Sequence, residues 1–296
     1  MIQFGRLFTA MVTPFSQDGT VDYKQAGVLA NYLIEQGSEG LVVAGSTGEA
    51  ATLSEDERLK LFSVVLEAVG DRACVVGGTG TNNTESTVTL SRKAAAVGLH
   101  GLLIVAPYYN KPCQEGLYRH FARAAESAAI PIIIYNVPGR TAVNILPETV
   151  VRLSAVPNII AVKESSGSLE QMSEIIRTMP VDFRLYCGDD ALTLPSMAVG
   201  AYGVISVASH IAASEIRQMI QAFATGDSTL ARELHLKLSP LFKALFITTN
   251  PTAVKAALNL TGMAVGEVRL PLVMPGPKES QVIRSELARL GKVSEA

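Results

Sequence analysis

Leu7-Phe8-Thr9-Ala10-Met11-Val12-Thr13-Pro14-Phe15 begins as a continuous apolar run and stops on Thr-Pro. Such a run fits a parallel strand covered on both faces. A doubly wound dinucleotide-binding sheet would place G-x-G-x-x-G directly after its first strand, and Thr13-Pro14-Phe15 stands there instead. Outward from this stretch, similar short runs recur at Gly40–Gly45, Cys74–Thr79, Gly101–Pro107, Pro131–Asn136, Ile159–Glu164, Phe183–Gly188 and Gly203–Ser209. With Leu7–Thr13 they make eight strands, alternating with helical stretches over about 225 residues, which predicts a (β/α)8 TIM barrel.

The connecting segments support that alternation. Ser54-Glu55-Asp56-Glu57 reads as a capping box opening a helix to about Gly70, with acidic residues in its first turn. Pro147, Ser168 and Glu115 mark the starts of three further helices. Gly77-Gly78-Thr79-Gly80 is glycine-rich but follows the third strand and lacks nucleotide-loop spacing, and no P-loop Gly-Lys-Ser/Thr occurs. From Gly226 the strand signal ends, and Ser228–Phe246, Pro251–Leu260 and Glu279–Leu290 read as helices. The expected organisation is a barrel over 1–225 with a C-terminal helical extension over 226–296.

Composition narrows the function classes. In 296 residues, 48% are hydrophobic and 18% charged, as in a globular chain. A formal charge of −2 and no basic stripe argue against nucleic acid or an anionic membrane as a partner. Cys74, Cys113 and Cys187 are odd in number and widely spaced, which fits a reducing cytosol better than a disulfide framework. Met1 to Phe15 lacks the basic region and cleavage site of a signal peptide. No apolar run reaches the roughly 18–20 residues of a membrane helix. A cytoplasmic location is expected.

In a barrel, active sites lie at the C-terminal ends of the strands. Lys163 ends the run Ile159-Ile160-Ala161-Val162-Lys163-Glu164. Burying an ammonium there costs several kcal/mol unless it is paired or neutralised. A neutral lysine is a nucleophile able to form a Schiff base with a carbonyl. The alternative is a rim lysine paired with Glu164, which strand alternation weakens because neighbours face opposite sides. Lys243 and Lys255 also have apolar neighbours, but both lie in helical stretches where a lysine stem snorkels to water.

Other strand ends supply polar groups. Gly45-Ser46-Thr47-Gly48-Glu49 is either an ordinary strand-to-helix turn or a nest of hydroxyls and N–H groups for a carboxylate. Tyr135 carries a phenol that can shuttle protons beside an amine, or is a half-buried structural tyrosine. Tyr108-Tyr109 are hard to bury together, so one faces the site or a subunit contact. Arg140 is either a solvated loop residue or a bidentate carboxylate clamp. Asp189 and Asp190 read as a helix N-cap or as hydrogen-bond acceptors. No histidine stands at ligand spacing to them, so no metal site is expected. His100, His120, His210 and His235 read as surface or helix residues.

Taken in order, Gly45-Ser46-Thr47-Gly48-Glu49, Pro107-Tyr108-Tyr109-Asn110, Tyr135-Asn136-Val137-Pro138-Gly139-Arg140-Thr141, Val162-Lys163-Glu164 and Gly188-Asp189-Asp190 resemble the dihydrodipicolinate synthase / N-acetylneuraminate lyase superfamily. The resemblance spans nearly the whole chain. It implies that Lys163 forms an imine with pyruvate and that no other cofactor is needed. It makes Tyr135 the proton carrier, in a relay with Ser46 and Tyr109. It assigns Thr47 and nearby N–H groups to the pyruvate carboxylate, Ile205 to the pocket lining, and Gly188 and Asp189 to the substrate site. It also implies a tight dimer that Tyr109 crosses, within a dimer of dimers.

Arg140 points to the synthase branch, in which pyruvate condenses with L-aspartate 4-semialdehyde on the route to diaminopimelate and lysine. Ser46 stands where many synthases have threonine, so that motif does not choose the branch. The His and Glu of lysine-inhibited members are matched here by Arg58 and Ser86, although Asn82 and Tyr108 remain. Weak or absent lysine feedback is expected. The rivals are another pyruvate-dependent aldolase acting on a sugar-acid aldehyde, a metal-dependent aldolase, and a catalytically silent barrel that binds a small molecule.

Overall fold

The structure is a computed structural model and describes residues 4–294. In chain order the elements are β1 (Leu7–Ala10), α1 (Tyr23–Glu35), β2 (Gly40–Val43), α2 (Glu55–Val69), β3 (Cys74–Gly78), α3 (Thr84–Val97), β4 (Gly101–Val105) and α4 (Gln114–Glu126). There follow β5 (Ile132–Asn136), the one-turn α5 (Pro138–Thr141), α6 (Pro147–Ser154), β6 (Ile159–Glu164), α7 (Leu169–Thr178), β7 (Arg184–Cys187), α8 (Thr193–Ala198), β8 (Gly203–Ser206) and α9 (Ser209–Ala224). Three more helices, α10 (Ser228–Ala244), α11 (Thr252–Leu260) and α12 (Pro277–Arg289), complete the chain.

All eight expected strands form, every pairing is parallel, and β8 returns to β1 to close the barrel. Most are shorter than their apolar runs. The ladder ends where the chain turns into the mouth, as at Ala44, whose φ of 51° follows β2 directly. The capping box at Ser54 is present: its hydroxyl accepts from Glu57 N at 3.2 Å, and Glu57 Oε2 accepts from Ser54 N at 2.9 Å.

Continuous apolar strands produce two cores. Phe8, Val42, Val76, Leu103, Ile133, Ala161, Tyr186 and Ile205 fill the barrel interior. Their strand neighbours Leu7, Leu41, Val75, Leu102, Ile132, Val162, Leu185 and Val204 pack outward against the helices. This is the period-two alternation of a strand buried on both sides. The outer core continues into the C-terminal helices through Leu238, Leu241, Val254, Leu258, Ile283 and Leu287. α10 packs on α9, and α12 packs on α10 and α11. Among the described residues, no helix is long and apolar enough to cross a membrane.

Candidate active site

Alternation along β6 sends Ala161 and Lys163 inward and Val162 and Glu164 outward. Glu164 is fully buried and is held by neutral donors. It accepts from Asn136 Nδ2 at 2.9 Å, Gln171 Nε2 at 3.1 Å and Ser166 N at 2.6 Å. The Lys163–Glu164 pairing is therefore absent. Lys163 is 5% exposed, and no salt bridge includes it among the described residues. Its Nζ stands 4.3 Å from the ring centroid of Tyr135, which lies opposite it in the β5–β6 register. A cation over a ring at that distance gains about 0.5–2 kcal/mol, less than a full ion pair would supply inside a barrel.

Tyr135 lines a cavity of about 320 Å³ at the mouth, together with Ser46, Glu49, Arg58, Tyr108, Val137 and Arg140. The C-terminal region closes one side with Thr249, Asn250, Pro271 and Leu272. Of the residues given a catalytic or substrate-binding role from the sequence, the cavity wall thus gathers Ser46, Tyr135 and Arg140, and Tyr108 and Arg58 line it as well. Lys163 adjoins it through the Tyr135 ring, and Ile205 belongs to the same inner core.

Others stand apart from the wall. Thr47 is 4% exposed, and its Oγ1 accepts from Asn250 Nδ2 at 2.8 Å. Asp189 uses Oδ1 to cap the short helical turn Asp190–Leu192, accepting from Ala191 N at 2.9 Å. Gly188 follows β7, where an added Cβ would meet Ser165 Oγ at 1.9 Å and Lys163 Cε at 2.8 Å, so a larger residue would have to displace these two side chains. Tyr109 points away. It is 88% exposed with φ of 75°, while Tyr108 faces the cavity. Within one chain the expected Tyr135–Ser46–Tyr109 relay is incomplete.

Lys255 corrects the sequence reading. It does not snorkel: it is fully buried, with Nζ 2.7 Å from Glu49 Oε1, 2.8 Å from the Glu267 carbonyl and 4.0 Å from the centroid of Phe15. Glu49 Oε2 accepts from Arg269 N at 2.9 Å. The Lys255–Glu49 contact is close but poorly directed, an ion pair more than a hydrogen bond. Burial outweighs it and pushes the Lys255 ammonium down to about 8. A depressed lysine of this kind could be mistaken for the nucleophile. Its nitrogen, however, is occupied by the Glu49 carboxylate and the Glu267 carbonyl, whereas Lys163 has no charged partner among the described residues. Lys243 is exposed, as expected.

Two histidines are buried within their helices. His210 accepts from Val12 N on Nε2 at 3.1 Å and donates from Nδ1 to Val207 O at 2.8 Å. Burial pushes it down to about 4, which keeps the ring neutral. His120 is likewise pushed down to about 4. Asp190 is a buried acceptor: the Ser206 hydroxyl, Val207 N and Ala208 N all donate to it, joining the ends of β7 and β8. Among the described residues, no group of three His, Cys, Asp or Glu side chains could hold a metal ion.

The model of the dihydrodipicolinate synthetase family matches residues 3–289. The chain belongs to that family. It is 54% identical over 290 residues to the 4-hydroxy-tetrahydrodipicolinate synthase of Heliobacterium modesticaldum, covering 98% of this chain and 97% of the relative. The synthase of the same name from Desulforamulus reducens is 53% identical, with 98% of each covered. The dihydrodipicolinate synthase of Bacillus anthracis superimposes with a TM-score of 0.95 at 47% identity, over 97% of this chain and 98% of that one. The enzyme of Cyanidioschyzon merolae, solved with lysine bound, gives 0.97 at 46% over 98% and 99%.

Asn250 touches both expected anchors, through its side chain on Thr47 and through its carbonyl, which accepts from Arg140 Nη2 at 3.0 Å. It is 203 residues from Thr47, in a stretch without strand signal. Glu49 stood in a motif and Lys255 was read as reaching water; the buried pair they form was not legible.

Proposed function

We propose that this chain condenses pyruvate with L-aspartate 4-semialdehyde, giving 4-hydroxy-tetrahydrodipicolinate for diaminopimelate and lysine biosynthesis. The observation that carries this reading is Lys163: buried, without an ion pair, in register with Tyr135 and next to a mouth cavity that also presents Arg140. The relatives of that name, at more than half identity over nearly the whole chain, support the choice of reaction and weigh against a sugar-acid aldolase.

In this reading Lys163 Nζ attacks the keto carbon of pyruvate, and the resulting carbinolamine loses water to a protonated imine. That imine is an electron sink, so a methyl proton leaves and an enamine forms. The enamine carbon attacks the aldehyde carbon of the second substrate, whose oxygen takes up a proton. The amine of the second substrate then displaces Lys163 and closes the ring. Each step is a proton transfer, an addition or loss of water at carbon, or the making or breaking of a carbon–nitrogen or carbon–carbon bond, so the reaction runs without an added cofactor. Exclusion of water from the barrel strengthens the hydrogen bonds to the charged intermediates.

Tyr135 carries the protons, with Ser46 and a Tyr109 reaching in from a neighbouring copy. Tyr109 is 88% exposed and so free to enter a neighbouring copy, and a tetramer of two such dimers follows the resemblance. Thr47 holds the pyruvate carboxylate. Asn250 donates to its Oγ1, which leaves the Thr47 hydroxyl hydrogen free for that anion. Arg140 holds the carboxylate of the semialdehyde, with Ile205 lining the pocket and Gly188 and Asp189 belonging to the substrate site. The protein acts in the cytoplasm.

Borohydride reduction with pyruvate, followed by peptide mass mapping, tests the mechanism. An adduct on Lys163 is expected; none, or one on Lys243 or Lys255, overturns it. Turnover of a sugar-acid aldehyde without turnover of aspartate semialdehyde would overturn the branch.

A further inference from the structure

Ser165 carries a buried hydroxyl for which the fold provides no hydrogen-bond partner. Its neighbours are satisfied: Ser166 Oγ accepts from Ser168 N at 3.2 Å, and Ser168 Oγ accepts from Gln171 N at 3.1 Å. The β5–β6 ladder continues through Ser165, whose N–H donates to Asn136 O at 2.9 Å. Alternation therefore holds from Lys163 to Ser165, and both side chains face the barrel interior.

The bare Cα of Gly188 is where these two side chains meet. Ser165 Oγ lies 1.9 Å, and Lys163 Cε 2.8 Å, from the point where a Cβ on Gly188 would stand. Lys163 Nζ lies over the ring face of Tyr135, which accepts no directed hydrogen bond from it. Glu164 is turned outward and occupied by Asn136, Gln171 and Ser166. A buried hydroxyl left without a partner costs stability, and alanine would occupy the same space without that cost. The residue makes physical sense if its partner arrives during the reaction.

We propose that Ser165 is a positioning residue for the nitrogen of Lys163. Its Oγ accepts the hydrogen bond of the one N–H that remains on Lys163 in the protonated imine. No bond forms or breaks in this contact. It holds the proton on nitrogen while the methyl proton leaves, and so preserves the electron sink. The role rests on the pyruvate imine proposed above.

The test compares the full-length wild type with Ser165→Ala and Ser165→Thr, by kcat against pH and by borohydride trapping of pyruvate. Removing an acceptor of a charged N–H lowers the pKa of the imine, so the alkaline limb of kcat should move to lower pH by about one unit in Ser165→Ala. The unfolding midpoint of that variant should equal or exceed the wild-type value, which separates the effect from misfolding. Ser165→Thr keeps the hydroxyl and should keep the wild-type limb. An unmoved limb in Ser165→Ala, or an equal shift in Ser165→Thr, overturns the proposal. A wild type that traps no pyruvate overturns the imine itself. A wild type that traps normally while Ser165→Ala keeps its limb overturns only the role of Ser165.

Discussion

Replacing Lys255 by methionine should destabilise the protein through the carboxylate it leaves behind. Lys255 and Glu49 are both buried and 2.7 Å apart, with Phe15 packed against the lysine nitrogen. Removing one partner of such a pair strands the other charge, at a cost of about 3–5 kcal/mol. Replacing both partners need not, because the pair has already given up its hydration. Glu49→Gln with Lys255→Met should therefore lie within about 1 kcal/mol of wild type.

The pH dependence has a definite sign. The ammonium falls from 10.5 to about 8 in the fold. Between those values the unfolded chain binds more protons, so raising the pH through that window adds stability from this group, about 3 kcal/mol in all. Over the same window the lysine loses the charge that faces Glu49, so the coupling between the two fades. Urea unfolding of wild type, both single variants and the double variant, at fixed protomer concentration and at pH 7 and 9.5, measures all of this. At pH 7, a single variant that loses less than about 1 kcal/mol would refute the reasoning, as would a double variant no better than Lys255→Met.

Tyr135→Phe should keep the fold and lower turnover by about 10²–10⁴, since the ring stays and only the proton carrier leaves; steady-state kinetics with unchanged circular dichroism would check it. Lysine near its ordinary cellular level should leave more than half of turnover intact, because Arg58 lines the cavity and donates to the Ala50 carbonyl, while Ser86 is an exposed first-turn residue of α3; half-inhibition at that level would refute it. Lowering the pH from 6.5 to 4 should cost about 3 kcal/mol through His210, which the unfolded chain protonates and the fold holds neutral to about 4. Urea unfolding at pH 5 and 7 should show a smaller drop in His210→Gln than in wild type.

The sequence by itself determined the barrel, the ordering of its strands and the placing of Lys163. Each of these follows from local rules. Eight apolar runs need cover on both faces, a capping box starts α2, and a two-residue period turns Lys163 inward and Glu164 outward. Tyr135, Ser46 and Arg140 were legible because strand ends open onto the mouth of a barrel. Tertiary structure decided what depends on partners distant in the chain. A helical pattern shows which face of α11 is apolar, not that Glu49 waits inside to receive Lys255. Asn250 reaches Thr47 across 203 residues, and Asp190 finds its donors where β8 ends, on Ser206, Val207 and Ala208. Tyr109 had the right neighbours in sequence, yet it projects 88% exposed on the rim. Local periodicity sets which way a side chain points, and only the closed fold sets what it meets there.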